Sequence, residues 1–488
     1  MAAGQGRHRG GVRGEGSVTV APGLRSSTTA IDGLILLELP VHADARGWFK
    51  ENWQREKMAE LGLGDFAPVQ NNVSFNTRPG TTRGIHAEPW DKFVSVASGR
   101  IFGAWVDLRE GPGFGRVVTA EIGPGFAVFV PRGVGNAFQT LAPDTAYTYL
   151  VNDHWSAAAQ TRYTYLNLAD ETVGIPWPID LAEAEVSAAD RAHPRLADVT
   201  PMAGRDTIVL GAGGQVGRAL RAVLPAARFL GRADVDLSDP AAIEAIDVDG
   251  VGAIVNAAAY TAVDAAETEE GRQAAWTVNA TAVAALARLA ARHQLTLVQI
   301  STDYVFDGAV PEHEEDEPLS PLGVYGQSKA AGDLAATTAP RHYVVRTSWV
   351  VGDGPNFVRT MVGLARRGVR PEVVDDQIGR LTFADDVAAG IAHLLATGAP
   401  YGTYHLTGSG PARSWAQIAA EVFRLCGADA DAVTPVSTAQ YLAGRPAAPR
   451  PVHSTLSTAR LRATGFEPRP MDPALAAYVA TLVDRAGS

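Results

Sequence analysis

The hydrophobic pattern of this chain changes near residue 206, and this change constrains the fold more than any other feature. Between residues 30 and 180, short apolar runs alternate with turn signals at a spacing of roughly 8–12 residues. From Asp206 onward, strand-like runs alternate with helix-like segments. The first pattern is typical of an all-β sandwich or barrel, and the second indicates a parallel sheet covered on both faces. The 488 residues therefore divide into two unlike domains.

Composition gives the predicted boundaries. Residues 1–29 are rich in Gly, Arg and Ser and are expected to form a disordered tail. Residues 30–183 are predicted to fold as an all-β, cupin-like double-sheet jelly roll. Residues 184–205 are mostly polar or small and are interpreted as a linker. Residues 206–488 are predicted to form an α/β Rossmann domain, a doubly wound parallel sheet with a small substrate-binding subdomain.

Charge and cysteine content exclude several functional classes. The formal net charge of −11 gives no overall attraction to nucleic acid or to an anionic membrane. Cys426 is the single cysteine, so a disulfide framework and a multi-cysteine zinc site are excluded, and no metal ligands are predicted. The sequence contains no run of about 18 consecutive apolar residues, so no transmembrane helix is predicted. The single cysteine fits a reducing compartment, and a cytoplasmic location is expected.

A glycine-rich turn opens the second domain. GAGGQVG at 211–217 lies between a strand-like run and a helix-like segment. Residues without a Cβ let the backbone approach a pyrophosphate, and the N-terminus of the helix offers free N–H groups. The motif by itself is a weak signal, but its place at the start of a βαβ pattern favours a dinucleotide site.

Two further groups suit reduction of a carbonyl. Tyr325 and Lys329 lie four residues apart on a predicted helix and so share one face. A nearby ammonium group favours the phenolate and would lower the tyrosine pKa toward the range useful for proton transfer. Thr302 ends a predicted strand, where open parallel sheets bind ligands.

Together these blocks resemble a known family. GAGGQVG, VNAAAYTAVDAAE at 255–267, STDYVFDG at 301–308, YGQSK at 325–329 and VVDDQIGRLT at 373–382 resemble the extended short-chain dehydrogenase/reductases, and within them the dTDP-4-dehydrorhamnose reductases. The resemblance implies that Thr302, Tyr325 and Lys329 are catalytic and that NADPH or NADH is the cofactor. The implied cofactor contacts are Gly211, Gly214, Gln215, Val216, Gly217, Asp236, Leu237, Asn256, Ala257, Ala258, Tyr260, Tyr325 and Lys329. The implied sugar contacts are Asp303, Tyr304 and Trp349. Arg232 could suit a 2′-phosphate without deciding between the two nicotinamides, and Leu381 replaces a proline common in the family.

The first domain carries a different constellation. TRGIHAEPWDKFV at 82–94 brings Arg83, His86 and Lys92 into one stretch. A histidine is a natural base for removing a proton next to a ketone, and a lysine near the ketone oxygen can stabilise the enolate. A lone histidine is more often structural, so the neighbouring blocks matter.

Those blocks resemble the dTDP-4-dehydrorhamnose 3,5-epimerases, which are cupin-like. They are DARGWFKE at 44–51, QNNVS at 70–74, RGIH at 83–86, VPRGVGNAF at 130–138 and LADETVGIPWP at 168–178. The resemblance implies that His86 is the base, Asp170 its charge partner, Tyr149 the proton donor on the opposite sugar face and Lys92 the enolate stabiliser. It implies substrate contacts at Arg46, Arg83 and Asn72. The chain departs from the family pattern at Ala87, Glu88, Asn136 and Leu150.

The two resemblances together predict a bifunctional enzyme of nucleotide-sugar metabolism. Its substrate is expected to be a dTDP-4-keto-6-deoxysugar, epimerised at C3 and C5 and then reduced at C4 to dTDP-L-rhamnose. A homodimer through the cupin-like half is also implied. Two alternatives stay open. One is a reductase of another dTDP-4-keto-deoxysugar whose epimerase-like domain is non-catalytic or acts at C3 alone. The other is a lone reductase whose first domain is a non-catalytic binding and oligomerisation module. A regulator that binds NAD(P) without catalysis is a weaker rival.

Overall fold

The computed structural model describes residues 17–21, 23–63, 66–444 and 446–484. The chain separates into two compact units, Met1–Gly204 and Arg205–Ser488. Most of the predicted tail, residues 1–16 and Pro22, lies outside the described residues.

The first unit is built almost entirely of strands. Its described strands are β1 (Ser17–Ala21), β2 (Leu24–Thr28), β3 (Ile35–Glu38), β4 (Val41–Asp44), β5 (Gly47–Lys50), β6 (Gln70–Asn76), β7 (Thr81–Ala87), β8 (Lys92–Ser98), β9 (Ile101–Asp107), β10 (Val117–Ile122), β11 (Phe126–Val130), β12 (Val134–Thr140), β13 (Thr145–Val151), β14 (Thr164–Tyr165) and β15 (Glu185–Val186). Its described helices are α1 (Arg55–Met58), α2 (Ala157–Gln160) and α3 (Ala188–Arg191). A π-helical turn at Ala59–Leu63 follows α1.

Two sheets organise these strands. One sheet has seven antiparallel strands in the order β1-β2-β3-β11-β8-β13-β6. The other runs β10-β9-β12-β7-β14, with β15 added beside β7. Strand residues from both sheets share a buried cluster that includes Val94, Val128, Trp105 and Phe138. The first unit is therefore strand-rich, as predicted.

Both predicted limits of this domain need correction. The tail does not extend to residue 29, because β2 pairs with β3 and Leu24 is buried. Residues 184–205 are not a free linker, because β15 pairs with β7 and Met202 bridges to Arg109. The backbone N–H groups of Glu185 and Met202 donate to Gly80 and Leu108 of the first unit, so polar composition was a poor guide to the packing of this segment.

The second unit alternates strands and helices. Its described strands are β16 (Asp206–Leu210), β17 (Arg228–Leu230), β18 (Val251–Asn256), β19 (Thr296–Thr302), β20 (His342–Thr347), β21 (Val350–Val351), β22 (Glu372–Val374), β23 (Ile378–Gly379), β24 (Thr382–Phe383), β25 (Gly402–His405), β26 (Arg413–Ser414) and β27 (Thr434–Val436). Its described helices are α4 (Gln215–Val223), α5 (Pro240–Glu244), α6 (Glu269–Trp276), α7 (Ala282–Arg292), α8 (Val324–Ala336), α9 (Phe357–Arg366), α10 (Ala384–Thr397), α11 (Trp415–Leu425), α12 (Thr438–Tyr441), α13 (Ala459–Arg462) and α14 (Met471–Asp484).

The central sheet of this unit is parallel and covered on both faces. Its strand order is β17-β16-β18-β19-β20-β25. Successive residues of β16 face opposite layers: Ile208 packs in the cluster that contains Leu286 of α7, and Val209 in the cluster that contains Ile391 of α10. This arrangement is consistent with a Rossmann-like fold.

A further apolar cluster forms outside the central sheet. Residues of α9, α11 and α14, among them Met361, Val422 and Leu475, share one apolar core. Cys426, which follows α11, packs against this cluster, and burial raises the pKa of its thiol.

One helical run in the second unit is long and apolar enough to cross a membrane. It spans Glu269–Arg292 and comprises α6, a π-helical turn at Thr277–Thr281 and α7. Within its most apolar stretch, 56% is buried inside the protein. Val283, Leu286 and Leu289 of α7 pack in one buried cluster with residues of the sheet. The apolar side chains of α7 therefore form part of the protein core.

Candidate functional sites

The glycine-rich turn of the second unit leaves room for a ligand that approaches the backbone. A Cβ on Gly211 would lie 2.6 Å from the amide nitrogen of Ala258, and a Cβ on Gly217 would strike the carbonyl oxygen of Gly211. By contrast, nothing lies within 4 Å of a Cβ built on Gly213. Gly211 and Gly217 therefore let α4 and β18 pack closely, and Gly213 faces open space at the start of the helix.

A cleft of about 810 Å³ opens at this turn. Arg232 and Asp236, which follow β17, line it together with Leu237. Asp236 accepts hydrogen bonds from the N–H and hydroxyl of Ser238, and these bonds hold the pKa of its carboxyl below the usual value. Other lining residues are Gly211, Gly213, Gly214, Ala257, Ala258 and Tyr260. The glycines, the helix N-terminus and the enclosed volume fit a dinucleotide.

Asn256 does not line this cleft, contrary to the prediction. Its side chain is fully buried, donates to Oε1 of Gln299 at 2.8 Å and accepts from the N–H of Ala258 at 3.2 Å. It therefore supports the loop after β18 from below, and the loop itself meets the ligand space.

A second cleft, of about 630 Å³, continues from the same loops. The predicted catalytic residues Thr302, Tyr325 and Lys329 all line it. So do Gln215 and Val216 of α4 and the predicted sugar contacts Asp303, Tyr304 and Trp349. The structure thus brings together residues from the ends of β19 and β20 and from α4 and α8.

The electrostatics of Tyr325 differ from the prediction. Burial raises the pKa of Tyr325 and the carboxyl of Asp303 raises it further, while a hydrogen bond with Thr302 lowers it. The ammonium group of Lys329 donates to the carbonyl oxygen of Ile300 at 2.6 Å, and burial lowers the pKa of Lys329 to about 8. The phenol of Tyr325 is therefore held protonated, the form that can donate a proton to a carbonyl oxygen.

Asp303 is a buried carboxyl next to Thr302. The Thr302 hydroxyl donates to its Oδ1 at 2.9 Å, and its Oδ2 has no hydrogen-bond partner within the described residues. Burial raises the pKa of Asp303 to about 6, although hydrogen bonds from Ser454 and Thr302 oppose the shift.

Trp349 owes its position to a glycine of the DQIGRLT segment. Its φ is 45°, and its ring stacks on Trp415 with centroids 3.7 Å apart. A Cβ on Gly379 would lie 2.9 Å from the Trp349 ring. Leu381, which replaces the common proline, is buried and donates its N–H to the sulfur of Met471 at 3.2 Å.

In the first unit, the base candidate His86 has a carboxylate partner other than the one predicted. Its Nε2 lies 2.9 Å from Oδ1 of Asp190 on α3. Asp170 instead accepts backbone N–H groups of Thr172, Val173 and Leu196 at 2.7–3.1 Å. The assignment of Asp170 as the partner of His86 is wrong, because Oδ1 accepts the N–H groups of the local turn and Oδ2 accepts that of Leu196.

Asp190 is ionised beside His86. Burial by itself would raise the pKa of Asp190. The net pKa is lowered, because the hydrogen bond and the charge of His86, a hydrogen bond with Ser187 and the charge of His193 together outweigh burial. His193 lies with its Nε2 4.0 Å from the same oxygen of Asp190. The rings of His86 and His193 both contact Tyr165, at centroid distances of 5.4 and 4.7 Å.

Lys92 and Tyr149 lie on the seven-stranded sheet. The ammonium group of Lys92 is 5.5 Å from the centre of the Tyr149 ring, and burial raises the pKa of Tyr149 to about 12. Lys92 also forms a buried ion pair with Glu88 at 2.7 Å, and Glu88 accepts from Trp90 Nε1 at 2.5 Å. The ring of Trp90 contacts Tyr163, and Tyr163 contacts Tyr165, which in turn contacts His86. A continuous series of aromatic contacts therefore joins the Lys92–Glu88 pair to His86.

The predicted substrate contacts of this unit are more exposed. Asn72 pairs directly with Tyr149 across β6 and β13. Arg83 is exposed on β7 and donates to Asn76 at 3.3 Å. Arg46 lies in the turn between β4 and β5 and pairs with Asp44. Asn72 and Arg83 thus belong near Tyr149, and the charge of Arg83 partly opposes the burial that raises the pKa of this tyrosine. Within the described residues, no contact joins Arg46 to His86.

Comparisons with known proteins match each unit separately. Residues 28–198 match the family model described as dTDP-4-dehydrorhamnose 3,5-epimerase, and residues 205–483 match the one described as RmlD substrate binding domain. A protein RmlC homolog from Streptococcus pyogenes is 50% identical over 181 residues, which are 36% of this chain and 91% of that protein. A dTDP-4-dehydrorhamnose reductase from Mycobacterium tuberculosis is 42% identical over 283 residues, which are 55% of this chain and 90% of that protein. The chain belongs to both families.

A solved structure supports the fold of the reductase-family half. It is a dTDP-4-dehydrorhamnose reductase from Bacillus anthracis in complex with NADP, with 32% identity and a TM-score of 0.53. The match covers 57% of this chain and 99% of that chain.

Sequence reasoning missed four side chains of the epimerase-family half: Glu88, Tyr165, Asp190 and His193. Asp190 and His193 lie in the segment interpreted as a linker. The signal available there was Ser187, which caps α3 by accepting the N–H of Asp190 at 3.0 Å. A serine three residues before an acidic residue is a helix start, and it places Asp190 in an ordered turn.

Proposed function

We propose that the chain is a bifunctional enzyme that converts dTDP-4-dehydro-6-deoxy-D-glucose to dTDP-L-rhamnose. The first half epimerises the sugar at C3 and C5, and the second reduces the 4-keto group with NADPH or NADH. The observation that carries the proposal is that each half matches nine-tenths of a relative from one of two families, and each holds its own polar cluster.

In the first half, His86 is the base that removes the proton next to the ketone. Asp190 accepts its hydrogen bond and stabilises the imidazolium that forms. Tyr149, kept protonated by burial, is the proton donor from the other sheet. Lys92 provides positive charge for the enolate oxygen, although Glu88 shares that charge.

In the second half, Tyr325 donates the proton to the oxygen of the reduced ketone and Thr302 orients that oxygen by hydrogen bonding. Lys329 keeps a positive charge beneath the site, fixed by Ile300. NADPH or NADH supplies the hydride when bound. The first cleft and Gly213 would hold the adenosine and the pyrophosphate of this cofactor. Asp303, Tyr304 and Trp349 would contact the sugar.

Two variants test the halves independently. His86→Ala should stop the exchange of sugar hydrogens at C3 and C5 with solvent deuterium, while reduction of separately supplied dTDP-4-dehydro-L-rhamnose continues. Tyr325→Phe should give the opposite pattern. Exchange that persists in His86→Ala would remove the assignment of His86 as the base and favour the alternative of a non-catalytic first half. The ion pair of Lys92 with Glu88 also supports that alternative.

We also propose a homodimer through the first half and a cytoplasmic location. β6 ends the seven-stranded sheet, and Val73 and Phe75 on it are 67% and 58% exposed. Trp48 and Phe49 of the β4–β5 hairpin are exposed as well. Exposed apolar edge strands favour pairing with another chain. Light scattering should give twice the chain mass, and Phe75→Lys should lower it.

A further inference from the structure

Three metal-ligating side chains of the first unit converge on one point. They are His86 on β7, Asp190 on α3 and His193 just beyond α3, and their ligand atoms all lie within 4.8 Å of one another. Two imidazoles and one carboxylate are a ligand set that holds a divalent transition cation with positions left open for water.

The distances are close to those of a zinc site. Zinc binds imidazole nitrogen and carboxylate oxygen at about 2.0–2.2 Å, so tetrahedral ligand atoms lie roughly 3.3 Å apart. The His86–Asp190 distance is 2.9 Å and the His193–Asp190 distance is 4.0 Å. Shifts of well under 1 Å in side-chain position would bring both pairs to that spacing.

The exposure of the group also suits a cation. Nδ1 of His193 is buried without a hydrogen-bond partner within the described residues. The side chain of His86 is 34% exposed, which gives an ion a route from solvent.

We propose that His86, Asp190 and His193 form an inhibitory site for a divalent transition cation of the zinc class. A bound cation replaces the proton that His86 Nε2 shares with Asp190 and occupies the oxygen of Asp190. The neutral ring then carries its proton on Nδ1, so neither nitrogen can accept a proton from the sugar. The epimerase half is thereby switched off while the reductase half keeps working. The inhibitory consequence rests on the proposed function, but the binding site does not.

Binding is tested with Zn²⁺ alone on the full-length, chelator-treated protein. Equilibrium dialysis should show one tightly bound Zn²⁺ per chain, and Co²⁺ in its place should give a visible absorption band. His193→Ala and Asp190→Asn should weaken binding by at least about tenfold. The matched control is His154→Ala, which removes an exposed histidine of the same unit and should leave binding unchanged.

Activity gives a second, separate readout. Zn²⁺ should stop solvent exchange at the sugar and EDTA should restore it, with no effect on reduction of dTDP-4-dehydro-L-rhamnose. Equal binding of Zn²⁺ to the wild type, His193→Ala and Asp190→Asn overturns the site, as does unimpaired exchange at saturating Zn²⁺. If no exchange is seen even with EDTA, the epimerase proposal fails, and the dialysis result alone then decides the metal site. Thermal unfolding of each variant shows whether a loss of binding comes from misfolding.

Discussion

Two aspartates of the first unit have different tasks although both are buried and both flank short turns. Asp190 contacts the ring of His86, and Asp170 contacts three backbone N–H groups. A carboxylate that pairs with a catalytic histidine stabilises the imidazolium formed during proton transfer. A carboxylate that accepts backbone N–H groups stabilises the local fold.

Substituting each aspartate should therefore separate activity from stability. Asp190→Asn should slow solvent exchange at the sugar by at least about 100-fold, because the imidazolium of His86 loses its counter-charge. Asp170→Asn should leave exchange within a few-fold and lower the melting temperature, since an amide replaces an acceptor of three N–H groups. Exchange rates and thermal unfolding of both variants check this, and the reverse pattern would restore Asp170 as the partner.

Asp303 gives a prediction about pH. Its carboxyl has a pKa of about 6 in the folded chain against an ordinary value of 3.8. Between those pH values the unfolded chain has released a proton that the folded chain retains, so the free energy of unfolding falls as pH rises. Asp303→Asn removes this effect and should stabilise the second unit at pH 7.5 by roughly 2–3 kcal/mol at most.

The gain should shrink as pH falls from about 6 toward 3.8 and vanish below that value, where the wild-type carboxyl is protonated in both states. Denaturant unfolding of the wild type and of Asp303→Asn at pH 4.5 and 7.5 measures it. An equal gain at both pH values would mean that the ionisation of Asp303 does not affect stability.

At the scale of elements, motifs predicted from the sequence were reliable where short-range geometry fixes them. GAGGQVG lies between β16 and α4, and Tyr325 and Lys329 share α8, because glycine turns and helical spacing depend on local chain geometry. The partner of His86 could not be found in this way. It depends on β15 joining β7 over about a hundred residues of sequence, and a mostly polar segment gives no periodic signal for such pairing.

The same limit explains two other differences. Asn256 is the last residue of β18, a position at which cleft residues are expected. Its hydrogen bond to Gln299 on the next strand instead holds the side chain in the core. The pKa of Tyr325 was expected to be lowered by Lys329, but burial dominates, and burial is a property of the whole fold.

The contact between β23 and Trp349 can be tested by one added methyl group. In Gly379→Ala the new Cβ would meet the Trp349 ring at 2.9 Å, and Trp349 is wedged against Trp415. The ring must shift, so KM for the 4-keto sugar should rise about tenfold, while the Kd for NADPH stays unchanged.

The matched control is Gly363→Ala on α9, where the nearest atom belongs to the flexible side chain of Arg367. It should leave both constants unchanged and slightly stabilise the helix. An unchanged KM in Gly379→Ala would show that Trp349 does not contact the sugar. A rise in the Kd for NADPH would show that the substitution disturbs the cofactor site instead.

At the scale of the whole molecule, two candidate sites lie on one chain. The first pairs His86 with Asp190, and the second places Tyr325 in a cleft that continues from the glycine-rich turn. Neither half needs a group from the other for the chemistry proposed. The product of the first reaction is the substrate of the second, so a single chain should carry out both steps in order.

The most direct test of this account is to give the purified chain dTDP-4-dehydro-6-deoxy-D-glucose and NADPH with no other enzyme. Cofactor oxidation is followed and the product sugar identified. The account predicts oxidation that yields dTDP-L-rhamnose, and loss of that product in Asp190→Asn unless a separate epimerase is added. A wild-type chain that forms no L-rhamnosyl product until an epimerase is supplied would contradict it and leave a reductase alone.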